Sequence, residues 1–189
     1  RRVVILWILG MIAQGNLLTL DPSKFFLYSN TLQSIASGYL VAALALIFLP
    51  VFGQWALIAG LLIGFWLFMT FVPFPGHAGG VLEPEANLAL FIDKFVLGRF
   101  HAGNTYTWVL SSMGFAATVL LGVQSGHILL SAKKPFGKFL MLCGVGALCL
   151  GLGWGWGLWF PIIKHLWTSS MALWAAGWSF LLLAFFYLV

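Results

Sequence analysis

The chain has 189 residues, of which 62% are hydrophobic and only 7% are charged. Soluble domains are about 45–50% apolar and about 25% charged, so the composition excludes a soluble globular domain, a disordered chain and a nucleic-acid-binding module. The formal net charge is +5. Because the basic residues lie at the ends of apolar runs, we interpret them as determinants of membrane orientation. The expected partner is therefore the lipid bilayer and not nucleic acid.

The apolar runs predict an all-α, polytopic transmembrane helix bundle of about six spans with one long outer loop. A spanning helix needs about 20 predominantly apolar residues. In chain order the predicted spans are residues 1–14, which form a short run, and residues 31–49, 55–72, 107–130, 138–159 and 170–189. The first and last runs look cut, so we expect this single bundle, residues 1–189, to be part of a longer chain.

The long loop, residues 73–106, carries two histidines and three acidic residues. Loops longer than about 12–15 residues are usually functional or disordered. Within this loop, residues 87–97 have helical spacing. The apolar stripe of that helix consists of Leu88, Phe91, Ile92 and Phe95. The pattern fits an interfacial helix with this stripe on the bundle, and it equally fits a loop that packs against its own helices.

Orientation follows from the distribution of basic residues. The short connection at residues 131–137 holds the densest basic cluster, and short loops dominate the positive-inside rule. We therefore predict that residues 131–137 are cytoplasmic and that residues 73–106 lie outside, with the inner membrane as the location if the protein is bacterial. The same alternation of spans places Asp21 and Lys24 on the outer side.

Polar residues near apolar spans are costly in hydrocarbon and therefore mark candidate sites. They occur at the outer ends of the second, fourth and sixth predicted spans, at Gln33, Ser34, Ser37, Ser111, Ser112, Lys164, His165, Thr168, Ser169 and Ser170. One interpretation is a polar pocket that opens outward. The other is interfacial polarity, with each hydroxyl bonded to a carbonyl of its own helix. Zinc-ligand spacing is absent and the histidines are poorly placed for haem, so we expect no resident cofactor and no metal.

Four stretches of the chain also carry a resemblance to a known family. They are residues 30–40 (NTLQSIASGYL), residues 71–76 with 87–93 (FVPFPG and NLALFID), residues 119–126 (VLLGVQSG) and residues 160–170 (FPIIKHLWTSS). In this order they resemble the central portion of the heparan-α-glucosaminide N-acetyltransferase family, which includes bacterial transmembrane relatives. The stretch at residues 160–170 is the most specific of the four.

The resemblance implies a membrane enzyme that moves acetyl from cytosolic acetyl-CoA, its co-substrate, to an amino sugar on the outer side. The residues that we expect to bind the substrate are Asn87, Asp93, Lys164, Trp167, Thr168 and Ser169. The residues that we expect to attract the CoA phosphates are Lys133, Lys134 and Lys138. The family's catalytic histidine would lie upstream of this chain, so the catalytic residues here are unknown.

Two alternatives to an acyltransferase remain open from the sequence. The first is a non-catalytic helical subunit of a larger membrane complex built on the same scaffold, with other membrane subunits or further copies of the chain as partners. The second is a small transporter, which fits less well because transporters usually contain repeated halves and no internal repeat is evident here.

Overall fold

The computed structural model describes residues 1–15, 18 and 25–188. This part of the chain contains helices and no strand, as the sequence predicts. Asp21, Lys24 and Val189, to which the sequence assigns an orientation or a span, lie outside the described residues. The α-helices are α1 (Arg2–Ala13), α2 (Thr31–Phe48), α3 (Val51–Phe71), α4 (Leu88–Leu97), α5 (Ser112–Leu130), α6 (Pro135–Gly157) and α7 (Ser169–Leu188).

Five of these helices are long and apolar enough to cross a membrane: α2, α3, α5, α6 and α7. The first predicted span is the shorter apolar helix α1, with 12 residues. Large apolar side chains cover the outside of the bundle, including Phe52 at 83% and Leu130 at 89% exposure. A surface of this kind is stable only in lipid, so the chain is an integral membrane protein.

The bundle has two different ends. One end, which we call the long-loop end, has the connections at residues 72–87, 98–111 and 158–168 and the described residues 25–30 that lead into α2. Within the described residues, the connections at the opposite end, the short-loop end, are the tight ones at residues 49–50 and 131–134. The described polar residues in the predicted outer loop therefore gather at one end of the molecule.

The starts of three predicted spans differ from the structure by three residues or more. The predicted third span starts at residue 55, but α3 begins at Val51. The predicted fourth span starts at residue 107, but α5 begins at Ser112, because tertiary hydrogen bonds hold the preceding residues in a non-helical conformation. The predicted fifth span starts at residue 138, but α6 begins at Pro135. Proline suits the first turn of a helix because the amide hydrogen that it lacks would have no partner there.

The core lies where α5 packs among its neighbours, and it includes Leu120, Leu142 and Phe180. The backbones of α6 and α7 approach each other closely. A Cβ atom added at Gly177 would lie 2.9 Å from the carbonyl oxygen of Gly146. Small residues at such crossings let membrane helices pack backbone to backbone.

The structure has a helix in the long loop, α4, but the predicted stripe is divided: Leu88 and Ile92 pack in the core, whereas Phe91 and Phe95 do not. Phe95 is 80% exposed and Phe91 is 38% exposed. The buried face carries Leu88, Ala89, Leu90, Asp93 and Leu97. This face is buried because both carboxylate oxygens of Asp93 accept hydrogen bonds from backbone amides just before α5, those of Trp108 and Val109.

Candidate functional site

A cavity of about 550 Å³ lies at the long-loop end, between α2, α5 and the connection that leads into α7. We call it the outer cavity. Its lining includes Asn30, Ser34, Asn104, Tyr106, Trp108, Phe115, Thr118, Lys164, His165 and Trp167. Small-molecule sites usually have volumes of about 300–1,000 Å³. A mainly apolar cavity with several polar side chains in its lining is therefore present where the sequence places polar residues from three spans.

One wall of the outer cavity is a series of aromatic rings. The rings of Tyr106 and Trp108 are stacked, with centroids 6.1 Å apart. Phe115 lies 6.4 Å from Trp108 and 5.3 Å from Trp167, measured between ring centroids. Tyr and Trp combine a broad apolar face with a polar edge. Such a wall suits a ligand that has an apolar ring face and polar substituents around it.

Trp167 is held in its place by α5. Its φ of 49° lies in the left-handed region, which is costly for a residue other than glycine. Its indole Nε1 donates a hydrogen bond to Thr118 Oγ1 at 3.0 Å, and Thr118 Oγ1 donates to the Gly114 carbonyl at 2.9 Å. A Cβ atom at Gly114 would lie 2.5 Å from the Trp167 carbonyl oxygen, so this contact requires glycine.

Three residues of the wall each have a buried polar atom without a hydrogen-bond partner among the described residues. These atoms are Asn104 Oδ1, Trp108 Nε1 and His165 Nε2. Buried polar groups are nearly always bonded, and leaving one unsatisfied costs about 1–3 kcal/mol. All three residues line the outer cavity, and each has one polar atom whose hydrogen-bonding capacity no described residue uses.

The charges around the outer cavity are positive or neutral. Lys164 is exposed at its rim, and no carboxylate is among the described lining residues. Burial lowers the pKa of His165 below its ordinary value of 6.5, so this imidazole is neutral at pH 7. A neutral imidazole can accept a proton, and a nearby ammonium group lowers the pKa of a bound amine.

Asn87 and Asp93, both predicted to bind substrate, do not line the cavity. Asn87 is 1% exposed and caps α4, where its Oδ1 accepts a hydrogen bond from the Leu90 amide at 2.8 Å. Asp93 is fully buried and accepts hydrogen bonds from the Trp108 and Val109 amides, at 2.7 and 2.8 Å. Asp93 therefore acts on the cavity only indirectly, by fixing the backbone of Trp108.

Burial raises the pKa of the Asp93 carboxyl to about 6, although the two backbone hydrogen bonds act in the opposite direction. The removal of water from around the charge is the larger effect, because it disfavours the ionised form. Keeping this carboxyl ionised near neutral pH therefore lowers the free energy of unfolding. This cost matters for the stability of the long-loop end.

Thr168 and Ser169, which were also predicted to bind substrate, are fully buried and bonded inside the protein. Thr168 Oγ1 donates to the Pro161 carbonyl at 2.9 Å, and Ser169 Oγ donates to the Leu62 carbonyl at 2.6 Å. The adjacent Ser170 Oγ donates to the Phe160 carbonyl at 2.6 Å. These hydroxyls shape the connection into α7. Of the six predicted substrate-binding residues, only Lys164 and Trp167 line the cavity.

The basic cluster lies at the other end of the molecule. Lys133 and Lys134 are exposed on the short connection between α5 and α6. Lys138 Nζ instead donates to the Leu129 carbonyl at 2.7 Å, which satisfies a free carbonyl in the last turn of α5. From Val119 in the wall of the outer cavity to Leu130, where α5 ends next to this cluster, the helix rises about 17 Å.

A second polar cluster joins α3 and α5 near the short-loop end. Gln54 Oε1 accepts hydrogen bonds from Gln124 Nε2 and from His127 Nε2, each at 3.0 Å. Because the amide oxygen is an acceptor, Nε2 of His127 carries the hydrogen. Both glutamines are 2% exposed. The cluster is a hydrogen-bonded contact between helices and has no connection to the outer cavity.

Sequence reasoning did not find the aromatic wall at Tyr106 and Trp108. Within the described residues, no three His, Cys, Asp or Glu side chains lie together as metal ligands would. No protein-family model matches the chain, and neither does any curated protein sequence. The function of the site must therefore be argued from its geometry and from the resemblance of its sequence motifs.

Proposed function

We propose that the chain is the acceptor-binding part of a membrane acyltransferase, which transfers acetyl from acetyl-CoA to an amino sugar bound in the outer cavity. The observation that carries this proposal is the combination of an aromatic wall, unpartnered polar atoms and Lys164 around one cavity. The resemblance of residues 160–170 to the acetyltransferase family supports it. Two residues of this stretch that were predicted to bind substrate, Lys164 and Trp167, line the outer cavity. His165, from the same stretch, lines it as well.

The walls match the chemistry of an amino sugar. The ring face of the sugar stacks on Trp108 or Trp167, and its hydroxyls both donate and accept hydrogen bonds. They therefore satisfy Asn104 Oδ1 and Trp108 Nε1 together. The ammonium of Lys164 favours the neutral, nucleophilic form of the sugar amine, since two nearby positive charges repel. The amine attacks the acetyl carbonyl carbon, the bond from that carbon to the CoA sulfur breaks, and CoA leaves as the thiolate. The neutral imidazole of His165 accepts the proton that the amine loses.

The proposed orientation places the short-loop end in the cytoplasm and the long-loop end outside, in the inner membrane if the protein is bacterial. It is supported by the exposed pair Lys133 and Lys134 on a short connection. The same pair attracts the phosphates of acetyl-CoA from the cytoplasmic side. Lys138 contributes less to this attraction, because its ammonium is bonded to the Leu129 carbonyl.

The test is acetyl transfer by the protein in its native membranes, with isotopically labelled acetyl-CoA. Glucosamine is the acceptor, and glucose, which lacks the amine, is the matched control. We expect acetylated glucosamine, no product with glucose, and at least a tenfold loss in kcat/KM in Lys164→Ala. The absence of transfer together with the absence of glucosamine binding in the outer cavity would refute the proposal.

A second candidate function is a non-catalytic subunit of a larger membrane complex. It is favoured by the internal hydrogen bonds of Asn87, Asp93, Thr168 and Ser169, which leave four of the six predicted substrate-binding residues with a structural role. The mass of the particle purified from native membranes in mild detergent separates the two. Tightly held additional subunits without transfer activity support the second candidate.

A further inference from the structure

A second, smaller cavity of about 200 Å³ lies between α5 and α7, within the part of the bundle that crosses the membrane. Its walls are Thr118, Gly122 and Ser125 from α5, and Ala176, Ser179, Phe180 and Leu183 from α7. On each helix these residues extend over about 10 Å. We call this elongated cavity the α5–α7 groove.

The α5–α7 groove has little need for a polar occupant. Ser125 Oγ donates to the Gly122 carbonyl at 2.7 Å, and Ser179 Oγ donates to the Ala175 carbonyl at 2.9 Å. Both hydroxyls are thus satisfied by their own helices. At Gly122, an added Cβ atom would meet no heavy atom within 4 Å. The groove therefore offers space and apolar contacts at the depth of the hydrocarbon.

The groove and the outer cavity meet at one residue. Thr118 lines both of them, and it is also the residue to which the Trp167 indole donates its hydrogen bond. Thr118 lies six residues into α5, about 9 Å from the start of the helix. Polar and aromatic walls thus lie on the outer side of this junction, and small or apolar walls lie on the membrane side.

We propose that the outer cavity and the α5–α7 groove form a single site for a glycolipid, with its sugar in the cavity and its hydrocarbon chain in the groove. The inference rests on the proposed function for the sugar head and adds the class of molecule that carries it. A chain attached to the bound sugar enters the groove at a high effective concentration, which a free lipid chain does not have. The two halves of the ligand match the polarity of the two halves of the site.

The experiment uses the full chain in phosphatidylcholine vesicles. The probe is a glucosaminide whose alkyl chain ends in a photoreactive diazirine, and the adducts are mapped by mass spectrometry after irradiation. We expect at least ten times more adducts on Phe180 and Leu183 than on Leu148 and Leu152, which are 61% and 53% exposed on α6. Excess free glucosamine lowers the adducts in the groove at least fivefold, because it competes for the head site.

Two matched variants test the groove itself. Gly122→Leu fills it and lowers the adducts on Phe180 and Leu183 at least tenfold. Gly144→Leu on α6 is the control, since its added Cβ atom also has no heavy atom within 4 Å, and its adducts match those of the unmodified protein. The glucosamine competition needs no variant, so the proposal stays testable even if Gly122→Leu fails to fold.

The proposal is overturned by equal labelling of Phe180 and Leu148, or by groove labelling that glucosamine does not reduce. Acetyl transfer to free glucosamine tests the proposed function separately, because free glucosamine has no hydrocarbon chain. Acetyl transfer without labelling of the groove would refute the glycolipid site and support the proposed enzyme function. Labelling of the groove that glucosamine reduces, in the absence of acetyl transfer, would support the glycolipid site and refute the proposed enzyme function.

Discussion

Two groups of polar residues at the long-loop end differ in their bonding. In the first, formed by Thr168, Ser169 and Ser170, every hydroxyl donates to a backbone carbonyl. In the second, formed by Asn104, Trp108 and His165, each residue has a buried polar atom without a partner among the described residues. The comparison teaches that polarity alone does not mark a binding site. Polar atoms without a hydrogen-bond partner, on residues that line a cavity, are the better criterion for a candidate site.

The largest effect should come from the structural side of this comparison, at Asp93. Asp93→Ala leaves the buried amides of Trp108 and Val109 without an acceptor, so we expect the free energy of unfolding to fall by about 4 kcal/mol. The measurement is denaturation in mixed micelles, followed by tryptophan fluorescence. Glu85→Ala, at an exposed position of the same loop, is the control and should change it by less than about 0.5 kcal/mol. A loss below about 1 kcal/mol for Asp93→Ala would show that this carboxylate does not hold the loop.

Ser170 and Asn104 should respond in opposite ways. Ser170→Ala removes a satisfied buried hydroxyl, so we expect a loss of about 1–2 kcal/mol in stability and unchanged glucosamine affinity. Asn104→Leu removes an unpartnered buried oxygen, so stability stays the same or rises while glucosamine affinity falls about tenfold. Unfolding and isothermal titration measure the two quantities. If both variants lose stability and keep affinity, the distinction between the two groups fails.

The pH dependence of stability sharpens the comparison further. The pKa of Asp93 is about 6 in the folded protein and 3.8 as its ordinary value, so the fold favours the protonated form. Its stabilising contribution is complete below pH 3.8 and is lost as the pH rises through about 6. Between pH 7.5 and pH 5 the unmodified protein should gain about 1 kcal/mol from this group.

Asp93→Asn isolates this contribution, because it has no carboxyl to titrate. The lowered pKa values of His101 and His165 act in the opposite direction as the pH falls, and both histidines remain in the variant. The quantity to compare is therefore the difference in Tm between the two proteins at each pH. An equal pH dependence in both proteins would contradict the assignment to Asp93.

The smallest effect on stability is expected at the short-loop end. Lys133→Ala combined with Lys134→Ala should change the free energy of unfolding by less than about 0.5 kcal/mol, since both side chains are exposed. The KM for acetyl-CoA should rise severalfold at low ionic strength, and this difference should disappear at high salt, where charges are screened. Lys138→Ala serves as the contrast, with a measurable loss of stability from the freed Leu129 carbonyl.

The membrane-spanning helices could be predicted because the bilayer itself dictates their length and composition. The buried face of α4 could not, because the long-range hydrogen bonds of Asp93 decide it. A usable signal was present nevertheless. Leu90, Asp93 and Leu97 have helical spacing, and an acidic residue among them predicts a buried carboxylate that needs donors.

The candidate site could be predicted only in part. Lys164 and Trp167 belong to a recognisable stretch of sequence, and both line the cavity. Tyr106 and Trp108 come from a non-helical segment whose position depends on Asp93, and no local pattern predicts such a placement. The left-handed backbone of Trp167 is likewise imposed by its contacts with Gly114 and Thr118.

The close backbone contact between α6 and α7 has a consequence for how the protein is made. Because these two helices pack so tightly, we expect them to insert into the membrane as one hairpin. α2 and α5 come earlier in the chain, so the parts of the cavity wall that they carry are synthesised before this hairpin. Insertion of the hairpin then brings Trp167 to Thr118, so biogenesis of the last helix pair completes the outer cavity.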